Sequence, residues 1–316
     1  MDLISIIITT HDRDRQLKRA IESVLMQTYN NIEIFVVDDN TNKSTLKVIA
    51  EFNSKINYIK SKKRGLASSR NIGLSVSNGD FVVFLDDDDE LEKDSILKRK
   101  LYFNSLSDKI KAKTAVIYSG CSIEIVHEKR SAYHKPEIFG DVLNNLKLSK
   151  ISTVPSTFFI NKKILTKFEV KFDESFSSFI DHDFFMSLAK NNLHMYFVNE
   201  PLTKTYSYPK KKSMVNDIEK RILNLNKFLK KWDNLLKSTF SKQNYVSFTT
   251  NYIAKEYSRL FLKCLIANDK NGLKKLIFNV SEYSKHTRFL KFKILKTLFY
   301  KYIRFMTPSF LIKLFK

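Results

Sequence analysis

Short apolar runs alternate with amphipathic stretches through the first hundred residues. Leu3 to Thr9, Ile32 to Val37, Ile56 to Lys60 and Phe81 to Leu85 are rich in β-branched and aromatic residues and read as strands. Between them Leu17, Ala20, Ile21, Val24 and Leu25 recur at helical spacing, as do Leu46, Ile49 and Ala50, and less regularly Ala67, Asn71, Leu74 and Val76. The runs around Ile6 and Val36 are apolar on both faces, as strands covered by helices on both sides must be. The pattern predicts βαβ units and an α/β, doubly wound, mostly parallel sheet.

From about residue 114 the alternation weakens. Ala115 to Ser119 and Ser122 to Val126 read as two strands, the stretch through Pro136 and Gly140 as loop, and Thr157 to Ile160 as a short strand. Ile180 to Asn191 has helical character, and Tyr196 to Asn199 forms a last strand before Pro201. After Pro209 and Lys210-Lys211-Lys212 the pattern is helical, with Ile218, Ile222, Leu225, Phe228 and Leu229 at helix spacing. A boundary between 205 and 213 divides the chain into residues 1–209 and a helical region, 210–316. No internal repeat is present.

A chain of 316 residues, 43% hydrophobic and 13% aromatic, buries a full core, which excludes a disordered protein. Its two cysteines, Cys121 and Cys264, supply no disulfide framework and no metal pattern, and fit a reducing, cytoplasmic compartment. The N-terminus reads as a first strand and not as a secretory signal, and no charge-free apolar window is long enough to span a membrane. The net charge of +22 would suit nucleic acid if it were spread over the chain. It is not: residues 210–316 hold 25 Lys and Arg against 6 Asp and Glu, leaving the first 209 residues near neutral at 30 against 27. A nucleic-acid partner is therefore not expected.

In doubly wound sheets ligands bind beyond the carboxyl ends of the strands, so the residues directly after each strand carry the functional reading. Three of these ends are polar: Thr9-Thr10-His11-Asp12-Arg13, Asp38-Asp39-Asn40 and Asp86-Asp87-Asp88-Asp89. Four successive aspartates repel one another, and a hard divalent cation, Mn²⁺ or Mg²⁺, bound by one or two carboxylates together with water and substrate phosphates, relieves that repulsion. The plainer alternative is a solvated acidic loop capping the helix that starts near Asp94 and Ser95. One of Asp38 and Asp39 can accept a hydrogen bond from the imide N–H of a uracil, while the other is held by backbone amides or caps the next helix; the plainer alternative is that the motif is only a turn and helix cap with Asn40, Thr41 and Ser44. Between these sites Lys62-Lys63-Arg64-Gly65 opens a helix, and Arg70, one turn in, can reach a diphosphate or lock onto the aspartates.

Taken in order, these segments resemble the family 2 glycosyltransferases of the GT-A fold. The likeness covers about residues 3 to 205 and rests on Ser5 to Arg13, Ala20 to Tyr29, Glu33 to Asn40, Gly65 to Gly73 and Asn78 to Asp89. It implies an inverting transfer of a sugar from a nucleotide-diphosphate donor, a UDP-sugar, to a hydroxyl of a glycan or lipid-linked acceptor in cell-surface glycan assembly. The implied roles are Thr9 and His11 holding the uridine, Asp39 meeting the base, and Arg70 orienting donor or aspartates. Asp86, Asp87 and Asp88 would be the D-x-D motif, with Asp86 on ribose or metal and Asp88 on the metal. The base that deprotonates the acceptor falls on Asp181 in Phe179-Ile180-Asp181-His182-Asp183, with Asp183 as runner-up. The sequence departs from the family pattern in three places. His11 replaces a tyrosine, Ile180 replaces the glutamate of a Glu-Asp pair, and no histidine follows the last strand in Thr203 to Lys212. The missing glutamate leaves a non-catalytic scaffold of the same fold as the alternative reading.

Residues 289–316 interleave aromatics with Lys and Arg in a pattern that suits a helix lying in a membrane interface, cations at anionic headgroups. The competing reading is an ordinary packed helix with a solvated basic face. The membrane reading would place the enzyme peripherally on the cytoplasmic face.

Overall fold

The computed structural model describes residues 1–39, 45–52, 54–126, 128–151, 154–207, 218–266 and 269–284. The chain divides into two compact units, Met1–Lys211 and Lys212–Lys316.

In the first unit the order is β1 (Ile4–Thr10), α1 (Asp14–Leu25), β2 (Ile32–Asp38), α2 (Thr45–Glu51), β3 (Asn57–Lys60), α3 (Leu66–Val76) and β4 (Phe81–Asp86). There follow β5 (Glu90–Leu91), α4 (Ser95–Ser105), α5 (Asp108–Lys111), β6 (Thr114–Ile125), β7 (Arg130–His134), β8 (Gly140–Asp141) and α6 (Val142–Lys147). A 3₁₀ turn at Pro155–Thr157 leads into β9 (Phe158–Asn161), α7 (Lys162–Lys167), α8 (Ile180–Lys190) and β10 (His194–Ser207). The strands form one sheet in the order β3-β2-β1-β4-β9-β6-β10-β5, with β7 on β6 and β8 on β10. β1 to β4 pair in parallel, β9 is antiparallel to both β4 and β6, and β10 is parallel to β6. The carboxyl ends of β1, β2, β4, β6 and β10 therefore share one edge.

Apolar residues on both faces of the central strands explain why helices flank them. Ile4, Ile6, Ile8, Val83 and Leu85 pack with Leu17, Ala20, Ile21 and Val24 of α1, all buried. At roughly 1.5–3 kcal/mol for each large aliphatic side chain buried, this layer fixes the strand register and hence the site edge. On the other face Phe84 meets Phe172 edge-on at 5.1 Å, and Phe172 stacks on Phe184 of α8 at 4.8 Å. α3 packs tightly on β1: a Cβ added at Gly73 would sit 2.3 Å from Ile7 Cγ2.

The later half departs from the sequence expectation in three places. The two strands expected at 115–119 and 122–126 are one continuous β6, and β7 occupies residues expected as loop. β7 is exposed throughout and, among the described residues, pairs with β6 alone, so its residues carry none of the buried alternation that marks a strand in sequence. The strand expected to stop at Asn199 runs to Ser207, because Pro201 sits where the pairing of β10 with β6 slips register. Such an irregularity removes the need for the amide that proline lacks.

The second unit contains α9 (Ile218–Thr239), α10 (Lys242–Ile266) and α11 (Lys270–Ser284). Phe228 stacks on Tyr252 at 5.4 Å, and Arg221 holds Glu256 through two nitrogens, at 2.9 and 3.2 Å, with both side chains nearly buried. Both cysteines are free and buried. The segments 208–217 and 289–316, on which the domain boundary and the interfacial helix were read, lie outside the described residues, as do Asn40, Thr41 and Ser44.

Candidate active site

The site edge is built on Asp86 to Asp89, directly after β4. The Asp89 amide donates to the Asp86 carbonyl at 3.0 Å, which closes the acidic run into a tight turn. Ser156 anchors it: its hydroxyl accepts the Asp86 amide at 3.2 Å and also bonds the Asp89 side chain. Burial pushes the Asp89 carboxyl up to about 8, with the nearby Asp86 charge adding to the effect and the Ser156 hydroxyl opposing it.

The four aspartates have different surroundings. Asp87 is buried, its Oδ2 accepting the Thr10 hydroxyl at 2.8 Å and the His11 amide at 3.2 Å, and its Oδ1 accepting Arg13 at 2.7 Å. Burial raises its pKa, against the lowering effect of Arg13 and these hydrogen bonds. Asp12, between His11 and Arg13, adopts the left-handed region at φ 58°, a turn that lets both neighbours reach the same carboxylate. Asp88 lies 3.1 Å from the same Arg13 and keeps part of its carboxylate exposed. Asp86 is about one-third exposed and accepts Arg70 at 2.8 Å.

Arg70 joins two parts of the site that the sequence keeps 95 residues apart. Its side chain is fully buried, with one terminal nitrogen on Asp86 Oδ1 and the other 2.6 Å from Asp181 Oδ1. The guanidinium lies 5.2 Å from the Phe172 ring centroid and 5.9 Å from that of Phe84. Burial alone would lower its pKa, but the two carboxylates outweigh burial and the pKa is raised. Asp181 occupies the first turn of α8, after Phe179 at φ 66°, and remains 28% exposed at its side chain. Asp183, two residues further along the helix, is 1% exposed.

The other end of this edge is assembled by β1, β2 and the start of α3. Thr9 pairs across to Val37 and to Asp86 in the ladder and is buried. Asp38 turns inward, where Tyr58 Oη and Lys60 Nζ donate to it at 2.9 and 3.0 Å. Asp39 is held at the strand end, its Oδ2 accepting the Gly65 amide at 2.6 Å and its Oδ1 lying 2.6 Å from His11 Nδ1. Gly65 holds φ 116°, a conformation that favours glycine, and precedes the first turn of α3.

The structure thus brings Thr9, His11, Asp39, Arg70, Asp86, Asp87, Asp88 and Asp181 to one edge. Two contributors went unassigned in the sequence. Arg13 sits at the end of the first polar segment, where its position was a usable signal. Ser156 carries no sequence signal, because it reaches the turn only through the antiparallel insertion of β9. Among the described residues no three or more His, Cys, Asp or Glu side chains are preassembled as a metal cage. The partly exposed carboxylates of Asp86 and Asp88 instead suit a cation that takes two carboxylates and completes its shell with phosphate and water.

Residues 5–168 match the model of glycosyl transferase family 2, just over half of the chain. An uncharacterised glycosyltransferase of Rickettsia felis is 30% identical over 195 residues, which cover 60% of this chain and 30% of that protein. A GalNAc(5)-diNAcBac-PP-undecaprenol β-1,3-glucosyltransferase of Campylobacter jejuni is 33% identical over 129 residues, 39% of this chain and 40% of that protein. The matched part is thus well under half the length of these relatives. The crystal structure of S. aureus TarS 1–349 in complex with UDP-GlcNAc superposes with a TM-score of 0.60 at 18% identity, covering 94% of this chain and 89% of that one. The fold is GT-A-like, and with its strand-end carboxylates lying inside the matched segment the chain belongs to glycosyl transferase family 2.

Proposed function

We propose that the chain transfers a sugar, with inversion, from a UDP-sugar to a hydroxyl of a glycan or lipid-linked acceptor, with Asp181 as the base. The observation that carries this reading is the single buried guanidinium of Arg70 shared by Asp86 and Asp181, which sets a donor-side carboxylate beside a partly exposed carboxylate in a helix's first turn. Asp181 takes the acceptor's proton as the acceptor oxygen bonds to the anomeric carbon. The bond from that carbon to the diphosphate oxygen breaks on the opposite face, and in-line displacement inverts the centre. Asp39 reads the base, Thr9 and His11 flank the uridine, and Asp87 acts indirectly by clamping Thr10, His11 and Arg13. Asp86 and Asp88 would hold Mn²⁺ or Mg²⁺, whose Lewis acidity offsets the charge gathering on the leaving diphosphate.

The UDP-GlcNAc complex of the structural neighbour and the undecaprenol-linked acceptor in the Campylobacter relative's name support the donor and acceptor classes. The basic region 210–316 supports a peripheral position on an anionic, cytoplasmic membrane face. No helix among the described residues is long and apolar enough to cross a membrane, and α11 exposes Ile277 and Phe278 beside Lys274 and Lys275.

The test is a thermal-shift screen of nucleotide sugars with Mn²⁺, followed by UDP release and transfer with the stabilising donor. Asp88→Ala and Asp181→Ala are each expected to abolish transfer. Activity unchanged by both substitutions would overturn the mechanism, and stabilisation by guanosine donors alone would overturn the role of Asp39.

A further inference from the structure

The surroundings of Asp39 hold more than a reader of the base. Its Oδ2 is engaged by the Gly65 amide, a backbone group that cannot withdraw without moving α3. Its Oδ1 is engaged by His11, whose side chain is 61% exposed while that of Asp39 is only 10% exposed. Facing an ionised carboxylate, which only accepts, the imidazole Nδ1 is the donor. The two contacts differ in exposure: the His11 backbone is pinned by its amide to Asp87, whereas its ring stands largely in solvent, where a change of χ1 rotamer would carry it off Asp39.

We propose that His11 is an internal competitor for the nucleobase. Its Nδ1–H holds the Asp39 oxygen that an incoming imide N–H must take, so the base binds by exchanging one N–H···O bond for another. This rests on Asp39 as the base reader and adds a selection rule. A uracil replaces the lost donor at no net cost in hydrogen bonds. A cytosine presents a lone pair at the equivalent ring nitrogen, leaves the carboxylate opposed, and cannot displace the imidazole. The same contact makes donor affinity lower than the Asp39 site could otherwise provide.

The test uses the full chain with Mn²⁺, and UDP and CDP as probes. In calorimetric titration His11→Phe, which keeps a flat ring and removes the competing donor, is expected to bind UDP about tenfold more tightly than wild type, the factor equal to one net hydrogen bond of about 1.4 kcal/mol. In protein labelled with ¹⁵N-histidine, the His11 Nδ1 signal is expected to leave its hydrogen-bonded position at saturating UDP and to stay there with CDP. Equal or weaker UDP binding by His11→Phe, or a His11 signal that saturating UDP does not move, overturns the competition while leaving the Asp39 reading intact. UDP binding undiminished in Asp39→Asn overturns both.

Discussion

Replacing Arg70 by methionine keeps an unbranched apolar stem and removes the charged fork. Two charge-assisted hydrogen bonds of 2.6 and 2.8 Å vanish, leaving Asp181 and Asp86 facing each other without a cation between them. Breaking a fully buried ion pair costs about 3–5 kcal/mol. Both carboxylates are about 30% exposed, so water recovers part of their solvation and the lower end of that range applies, roughly 3 kcal/mol. For a unit of about 200 residues this lowers the melting temperature by roughly 6–12 °C. The catalytic loss is larger in proportion, because a carboxylate displaced by about 1 Å costs on the order of a hundredfold in rate. Arg70→Lys separates the two effects. A single ammonium restores the charge and part of the stability but cannot serve two carboxylates in a fixed plane. Calorimetric melting and UDP release from the stabilising nucleotide sugar, run on wild type and both variants, measure them together. Wild-type turnover in Arg70→Lys would refute the claim that one fork must hold both groups, as would Arg70→Met melting at the wild-type temperature.

Asp89 gives a pH dependence. Its folded pKa of about 8 lies above the ordinary aspartate value of 3.8, so between those limits the folded state binds the extra proton and stability falls as pH rises. Asp89→Asn, neutral at every pH, is therefore expected to melt higher than wild type at pH 8–9 with a chelator present and to show no gain at pH 4, as read from melting curves. In the second unit Arg221→Met leaves Glu256 buried without its bidentate partner, and a loss of about 3 kcal/mol in urea unfolding is expected. Arg221→Met together with Glu256→Leu should recover most of that loss, since an apolar pair of similar volume replaces the ionic one.

The first hundred residues reveal their fold because β1, β2 and β4 are largely buried on both faces and α1 has one apolar stripe. Where those conditions lapse, the sequence is silent. The exposed β7 looks like loop, and β10 looks finished at Pro201 although an irregular pairing carries it on to Ser207. The polar strand ends stood out as a site because polar residues in a row interrupt a buried pattern. What they bond to did not, since Ser156 reaches Asp86 across 70 positions and Asp181 reaches Arg70 across 111. Four adjacent aspartates also read alike in sequence, and only the fold separates a buried clamp, Asp87, from the accessible Asp86 and Asp88.

α3 touches three carboxylates of this site at once. Its leading glycine steadies Asp39, its buried arginine holds Asp86 and Asp181, and Gly73 leaves its backbone no slack against β1. In evolutionary terms the helix is a shared part: a substitution that tilted it to suit a new nucleotide would shift Asp86 and Asp181, the carboxylates proposed for the metal and for the base, in the same movement. Lineages that change their sugar or acceptor are then expected to do so through the segments that do not lean on α3, above all β6, β7 and the long end of β10, while the helix itself accepts little variation.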